Sequence, residues 1–427
     1  MKYAVYTLGC KVNSCESAAI VSAFDTKGFE QCKQGEKADI FVINSCAVTG
    51  MSVKKARQLI SGCRKDNPNA VIVLCGCFPQ AYPNEAIKLS GADIICGTGG
   101  KAEIAEKVLE FMENKRRSLN VDKPPREFEE ASAAADMDRT RAFIKIEDGC
   151  DSFCTYCIIP TARGRVRSRG LEEIAAQAKL CAENGHKEIV LTGINLACYG
   201  REFGKSLGDA VLAAQADGIE RIRLGSLEPE LITQSEVEKL KRSDRLCPHF
   251  HLSLQSGCDE TLARMKRKYT AAQFTEAVER LREAFPECSI TTDVIVGFPG
   301  ETDEEFLQSL DFVEKTGFAK VHVFPYSIRK GTVAAEMDNQ VVPFIKTERV
   351  RAMTTLSKVL EQRFFEKQLG TIQSVLIEKR TSQEYVNGFT PSYIPVRIYG
   401  ENIERHSTVN VKITDFTDIC CIGELVK

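Results

Sequence analysis

The chain has 427 residues, 43% hydrophobic and 27% charged, with a formal net charge of −2. That length predicts two or three domains, each able to bury its own core, and the near-neutral balance excludes a grip on nucleic acid by overall charge. Residues 2–7 run straight into a strand pattern with no secretory leader, and no apolar run spans a bilayer. The eighteen cysteines are therefore expected in a reducing, cytoplasmic setting, as metal ligands or small core residues rather than disulfides.

The first third alternates apolar runs at 3–8, 38–43, 70–74 and 92–95 with helical patterns at 14–27, 52–65, 84–89 and 101–114. This βα alternation predicts an α/β domain with a parallel sheet covered on both faces. A cysteine follows each of the first three strands: Cys10 after Thr7-Leu8-Gly9, Cys46 after Asn44-Ser45, and Cys77 after Gly76. Open α/β sheets bind ligands at the carboxyl ends of their strands. Three thiols far apart in sequence therefore gather at one edge, as three protein ligands of a cluster. Cys75 competes with Cys77, since strand alternation points both to the same face. The turn after Gly76 favours Cys77 by carrying it beyond the strand. Gly97-Thr98-Gly99-Gly100 resembles a phosphate loop only loosely and reads as a helix entry turn. From 115 to 139 the periodicity fails around Lys123-Pro124-Pro125-Arg126, which marks a connector with a short helix at 129–135.

The central part carries strand patterns at 141–147, 188–191, 221–224, 250–254, 289–296 and 320–324. Helical patterns at 171–184, 207–216, 230–241, 271–284 and 303–315 separate them. Six such units predict an incomplete parallel barrel with its chemistry on loops at the carboxyl ends of the strands. The first of those loops reads Gly149-Cys150-Asp151-Ser152-Phe153-Cys154-Thr155-Tyr156-Cys157. A four-iron cluster takes one thiolate per iron, so three thiolates leave one iron open to a substrate. Zinc would need a fourth Cys or His, and none lies between Phe143 and Leu180.

Just after the loop, Arg163, Arg165, Arg167 and Arg169 recur at every second residue, facing one way if extended. Seven Lys and Arg against three acids between Arg139 and Arg169 suggest a strip for a polyanionic substrate. A second basic knot, Arg264-Met265-Lys266-Arg267-Lys268-Tyr269, reads as a surface helix end with a tyrosine free to stack on a base. The last part has a long helix at 342–369, then alternating runs at 372–379, 393–398 and 409–413 separated by turn signals at Asn387-Gly388 and Gly400-Glu401-Asn402. This predicts a small β-barrel of a kind that often binds oligonucleotides, although its six basic residues face seven acids.

Taken together, these residues resemble the methylthiotransferases of the radical S-adenosylmethionine (SAM) superfamily from end to end. The resemblance implies an amino-terminal methylthiotransferase domain (1–118), a linker (119–138), a radical SAM barrel (139–370) and a TRAM domain (371–427). It is strongest for the branch acting on threonylcarbamoyl-adenosine beside the tRNA anticodon, on residues 148–169, Leu224-Gly225-Ser226-Leu227-Glu228-Pro229 and Met265-Lys266-Arg267-Lys268-Tyr269-Thr270. Relatives acting on isopentenyl-adenosine tend to carry glycine where Lys268 stands; Asn195 departs from the histidine that the branch often has. The resemblance implies two [4Fe-4S] clusters, one on Cys150, Cys154 and Cys157 that binds SAM and one on Cys10, Cys46 and Cys77 that supplies or carries sulfur. It also implies an electron donor, a sulfur source and the tRNA anticodon loop as partners. SAM requires close backbone approach, hydrogen-bond partners and an apolar slot. Gly193 and Gly297 are candidates for the first, Thr192, Gln255 and Ser256 for the second, and Phe298 for the third, with Tyr156 in the cluster loop. Rival readings are the same chemistry on isopentenyl-adenosine or a ribosomal protein side chain, and a non-catalytic iron–sulfur RNA-binding protein.

Overall fold

The computed structural model describes residues 1–33, 36–89, 91–130, 140–380, 384–400 and 403–426. Its first layer is a six-stranded sheet in the order Glu30–Gln31, Lys2–Thr7, Ile40–Ser45, Val71–Gly76, Ile94–Cys96, Ser118–Asn120, with every pair parallel. Alternate side chains of the central strands enter two cores, as a doubly covered sheet requires. Val42, Val73 and Ile94 pack under helices Lys11–Thr26 and Ile104–Asn114. Ile43, Leu74 and Ile95 pack under Gly50–Asp66. The sixth strand, Ser118–Asn120, lies where the sequence predicts the connector. A three-residue strand completed by its neighbour carries no periodicity of its own. The expected helix at 129–135 falls mostly outside the described residues.

The second layer is an open barrel of parallel strands in two arcs. Arg221–Leu224, Glu188–Thr192 and Arg141–Lys145 form one; Ser226–Leu227, His249–Gln255, Ser289–Val296 and Lys320–Pro325 form the other. The chain crosses between arcs at Gly225, whose N–H donates to Leu191 O at 2.8 Å. The main core lies between strands and outer helices, with Ile189, Leu191, Ile222, Leu252 and Ile290 facing Ile174, Val211, Val237, Val278 and Val313. Helix Pro343–Glu366 covers the last strand, its Ser357 Oγ accepting from Val321 N at 3.0 Å.

The third layer is a closed five-stranded barrel in the order Ile372–Arg380, Tyr385–Phe389, Pro395–Tyr399, Cys421–Leu425, Thr408–Phe416. Asn387-Gly388 lies inside its second strand, correcting the turn predicted there. Gly388 allows close strand approach, since a Cβ would sit 2.5 Å from Leu376 O. Of the turn predicted at 400–402, residues 401 and 402 fall outside the described ones. This barrel plugs the amino-terminal end of the large one. Arg141 and Arg223 stack on the Tyr393 ring at 4.9 and 4.6 Å, and Arg221 Nη1 donates to Phe389 O at 2.9 Å. The opposite, carboxyl-terminal rim stays open for the site.

Candidate functional site

The loop bearing Cys150, Cys154 and Cys157 grows from a clasp in which Glu147–Asp148 pairs antiparallel with Arg167–Ser168. Gly149, at φ +85, makes the clasp possible: a Cβ there would meet Arg165 O at 2.0 Å. Thr155 fastens the loop to the barrel, N donating to Met265 O at 3.1 Å and Oγ1 to Arg264 O at 2.9 Å. Donors surround the sulfurs. Ser152 N lies 3.4 Å and Asn195 Nδ2 3.5 Å from Cys150 Sγ, and Arg267 Nη1 lies 3.2 Å from Cys154 Sγ. Burial pushes the Cys157 thiol up to about 12, so iron must displace a proton there. Burial also raises Cys154, opposed by the Arg267 charge.

The other trio is assembled from three strand ends. Cys10 caps helix Lys11–Thr26, Cys46 follows strand Ile40–Ser45, and Cys77 opens helix Cys77–Ala81 after Gly76 turns the chain at φ +96. Gly9 lets the first two segments touch: a Cβ on it would fall 2.7 Å from Cys46 Cβ. Asn13 Nδ2 pins both, donating to Leu8 O at 2.8 Å and Ser45 O at 3.2 Å. Burial pushes Cys77 up to about 12, and Cys46 and Cys10 are among the groups whose charge it feels. Cys75 instead packs in the sheet core beside Cys96, away from Cys10 and Cys46. Among the described residues no group of three or more His, Cys, Asp or Glu is drawn tightly enough for a single metal ion. A four-iron cluster takes one thiolate at each of separate irons, and all-sulfur donor sets of this kind suit it.

A cavity of about 260 Å³ reaches both trios' surroundings, with Cys157 of one in its lining and the segment just past Cys46 of the other. Val48 and Thr49, just past Cys46, form one wall. Tyr156, Cys157, Ile158, Gln255, Asp293, Ile295, Phe324, Tyr326 and Arg329 form the others. Behind that wall Cys77 packs with Ala47, Ile158 and Ala162, the last two from the segment that follows Cys157. Its mixture of apolar walls and a few polar groups is that of a small-molecule site.

Tyr156 and Gln255 line this cavity, whereas Thr192, Gly193, Ser256, Gly297 and Phe298 are not in its wall. Thr192 is buried, its carbonyl accepting from Ile146 N. Gly193 lies against Glu147, 2.6 Å from carboxylate to would-be Cβ. Ser256 Oγ accepts from Cys258 N at 3.3 Å. Gly297 N donates to Glu301 at 2.6 Å, and Phe298 packs with Met265, Tyr326 and Ala334.

The arginine series is corrected. Arg163 lies in helix Ile159–Arg163, not in an extended strand, and has no exposed surface. It donates to Glu16 at 2.7 Å, Asp148 at 3.0 Å and Asn13 at 2.7 Å, joining the sheet layer to the barrel. Arg167 is buried on Asp148 at 2.8 Å and Arg169 pairs with Glu130 at 2.7 Å. Arg165 alone of the four is exposed. Burial would raise both acids of this network, but Arg163 and Lys145 outweigh it, bringing Glu16 down to about 2 and holding Asp148 below the usual carboxylate range. The second basic knot is corrected too. Tyr269 is buried with its hydroxyl on Leu254 O at 2.7 Å, so it cannot stack on a base, and Arg267 pairs with Glu228 beside Cys154.

Sequence reasoning singled out neither Glu147 nor Arg329. Glu147 is fully buried, accepts from Asn195 N at 2.6 Å, and keeps Oε1 without a partner. Burial pushes its pKa up to about 8, against the Asn195 hydrogen bond. Its place directly before the cluster loop was the only available signal.

The fold and the two trios define the class, and the comparisons agree: residues 144–313 match the radical SAM superfamily model, and residues 2–97 match an uncharacterized family, UPF0004. The chain is 40% identical to a threonylcarbamoyladenosine tRNA methylthiotransferase of Bacillus subtilis, over 96% of this chain and 93% of that one. It is 38% identical to the one of Thermotoga maritima, over 99% and 97%. A tRNA-2-methylthio-N(6)-dimethylallyladenosine synthase of Pelotomaculum thermopropionicum is 34% identical over 88% and 86%. Among solved structures, a radical SAM methyltransferase from Kitasatospora setae, TsrM, shares the fold at a TM-score of 0.61 and 14% identity, over 78% of this chain and 76% of that one. The chain belongs to the radical SAM methylthiotransferase family, whose enzymes use [4Fe-4S] clusters and SAM.

Proposed function

We propose that this chain methylthiolates threonylcarbamoyl-adenosine beside the anticodon of tRNA, with Cys150, Cys154 and Cys157 holding the SAM-binding cluster and Cys10, Cys46 and Cys77 holding the second. The cavity lined by Cys157 on one side and by Val48 and Thr49, just past Cys46, on another is the observation that carries this reading. The names of the relatives from Bacillus subtilis and Thermotoga maritima support the substrate. The bound groups supply radical removal of hydrogen from an unactivated adenine carbon, together with sulfur and a methyl group. The chain's own part is to hold, orient and keep dry. Asn195, Ser152 N and Arg267 donate toward the sulfurs of one cluster, and such hydrogen bonds tune its potential. Val48 N does the same for Cys46 at 3.4 Å. Ile158, Ile295 and Phe324 give the cavity apolar walls that exclude water. The base leaves its stack to enter, which an anticodon loop permits at low cost. Exposed Arg165 contacts the RNA backbone; an electron donor and a sulfur source complete the set, in the cytoplasm. No described helix is long and apolar enough to cross a membrane.

Replacing Cys10, Cys46 and Cys77 together with alanine tests the division of labour. Reductive SAM cleavage is expected to survive while the methylthio product disappears, followed by nucleoside mass spectrometry of tRNA. Loss of both reactions in a folded protein overturns it. The same mass spectrometry identifies the substrate, because methylthio-isopentenyl-adenosine as product would replace the threonylcarbamoyl reading.

A further inference from the structure

Seven arginines are buried among the described residues: Arg163, Arg167, Arg169, Arg221, Arg223, Arg329 and Arg349. Six have a carboxylate within 4.0 Å, namely Asp148, Glu16, Glu130, Glu188 or Glu301. Arg329 is the exception. It stands on the segment after the last barrel strand, Lys320–Pro325, and is 8% exposed. Its Nη2 donates to Ser327 Oγ at 2.6 Å, its Nε is buried without a partner, and no carboxylate among the described residues pairs with it. A guanidinium stays charged at any pH the protein meets, and a buried charge without a counter-ion is costly.

Its surroundings add positive potential. The guanidinium lies against Gly50, where a Cβ would be 3.1 Å from Nη2. Gly50 begins the 17-residue helix Gly50–Asp66, whose cap Thr49 lines the same cavity as Arg329. The positive end of a helix and an arginine with no carboxylate partner among the described residues, close enough to the Cys46 thiol to feel its charge, therefore converge on one corner of this cavity. The other charged side chain of the lining, Asp293, faces His251 Nε2 at 3.3 Å. The carboxylate of SAM is expected on the open iron of the Cys150, Cys154 and Cys157 cluster, and a phosphate of the RNA backbone stays with the backbone when a base is extruded, which leaves an anion carried by the base to reach this corner.

We propose, resting on the threonylcarbamoyl reading above, that Arg329 and the helix start at Gly50 receive the carboxylate of the base's N6 substituent and so select it over uncharged substituents. A planar guanidinium edge matches a carboxylate, and the contact satisfies both charges in the cavity. Plain adenine and isopentenyl-adenosine carry no such group and would leave Arg329 unpaired.

The test uses the reconstituted holoenzyme and two anticodon stem-loop RNAs, one bearing threonylcarbamoyl-adenosine and one in which its carboxylate is a primary amide. The natural enzyme is expected to have a KM about tenfold lower for the carboxylate RNA, a difference of about 1.4 kcal/mol. Arg329→Gln is expected to erase that preference by raising only the KM for the carboxylate RNA, and Arg329→Lys to keep part of it. Iron content and thermal transition report whether each variant is intact. Equal loss on both RNAs, or loss of iron, would assign Arg329 to the Cys46 cluster and overturn the proposal. A natural enzyme that treats the two RNAs alike overturns it without any variant. If the natural enzyme modifies isopentenyl RNA and neither of these, the substrate reading itself has failed, and that control makes the two failures distinct.

Discussion

The two thiol trios are built in opposite ways. Cys150, Cys154 and Cys157 sit within eight residues on one loop, clasped by Glu147–Asp148 against Arg167–Ser168. Cys10, Cys46 and Cys77 come from three strand ends and meet only because the sheet is parallel and in register. The first trio's sulfurs meet an arginine and an asparagine from distant barrel loops, whereas the second is pinned by Asn13 and a backbone N–H. A local motif thus fixes ligand spacing and borrows its electrostatics from afar; a dispersed one takes its spacing from the sheet and its donors from nearby. Arg163 ties them together, six residues past Cys157 and hydrogen-bonded to Asn13.

This contrast breaks most completely in the cysteines. Replacing Cys150, Cys154 and Cys157 with alanine is expected to abolish both SAM cleavage and product, unlike the amino-terminal triple variant, as read by deoxyadenosine release. Arg163→Met comes next. It leaves Glu16 and Asp148 buried with less compensation and is expected to cost about 3–5 kcal/mol, measured by urea unfolding. Gly149→Ala forces a Cβ onto Arg165 O in a backbone at φ +85, for a loss of about 1–3 kcal/mol and a lower iron content at the barrel trio alone.

Glu147 sharpens the comparison through pH. Its folded pKa of about 8 lies above the ~4.3 of a free glutamate, so the native state holds a proton that the unfolded chain releases. Its stabilisation is complete below about pH 4.3 and is lost as pH rises toward about 8. Glu147→Gln is expected to remove that contribution, which falls by at most about 1.4 kcal/mol per pH unit, seen in urea midpoints across the window. The smallest effect belongs to Arg165→Gln. It is expected to leave stability unchanged and to flatten the salt dependence of RNA binding by about 0.7 in the logarithmic slope, the share of one phosphate contact on a single strand.

Much of this architecture was legible in the chain. The alternation of β-branched runs with helical periods predicted the sheet and barrel, and the cysteine spacing predicted the loop. The misreadings share one cause. Arg163 looked like part of a solvent-facing strip because its partners, Glu16 and Asn13, lie 147 and 150 residues away. Asn387-Gly388 reads as a turn in isolation, yet a closing barrel needs glycine where strands press together. Ser118–Asn120 is too short to announce itself without Ile94–Cys96 beside it.

Which groups are present, and which local geometries they prefer, follows from the order of residues alone: three thiols on one loop, three more at strand ends, a glycine at the turn before Cys77. Packing between distant elements settled which side chains line one cavity, that Cys77 rather than Cys75 stands toward Cys46, and that one buried arginine has no carboxylate beside it among the described residues. Spacing along a chain is a short-range property, whereas burial and charge compensation depend on every element that folds against a residue.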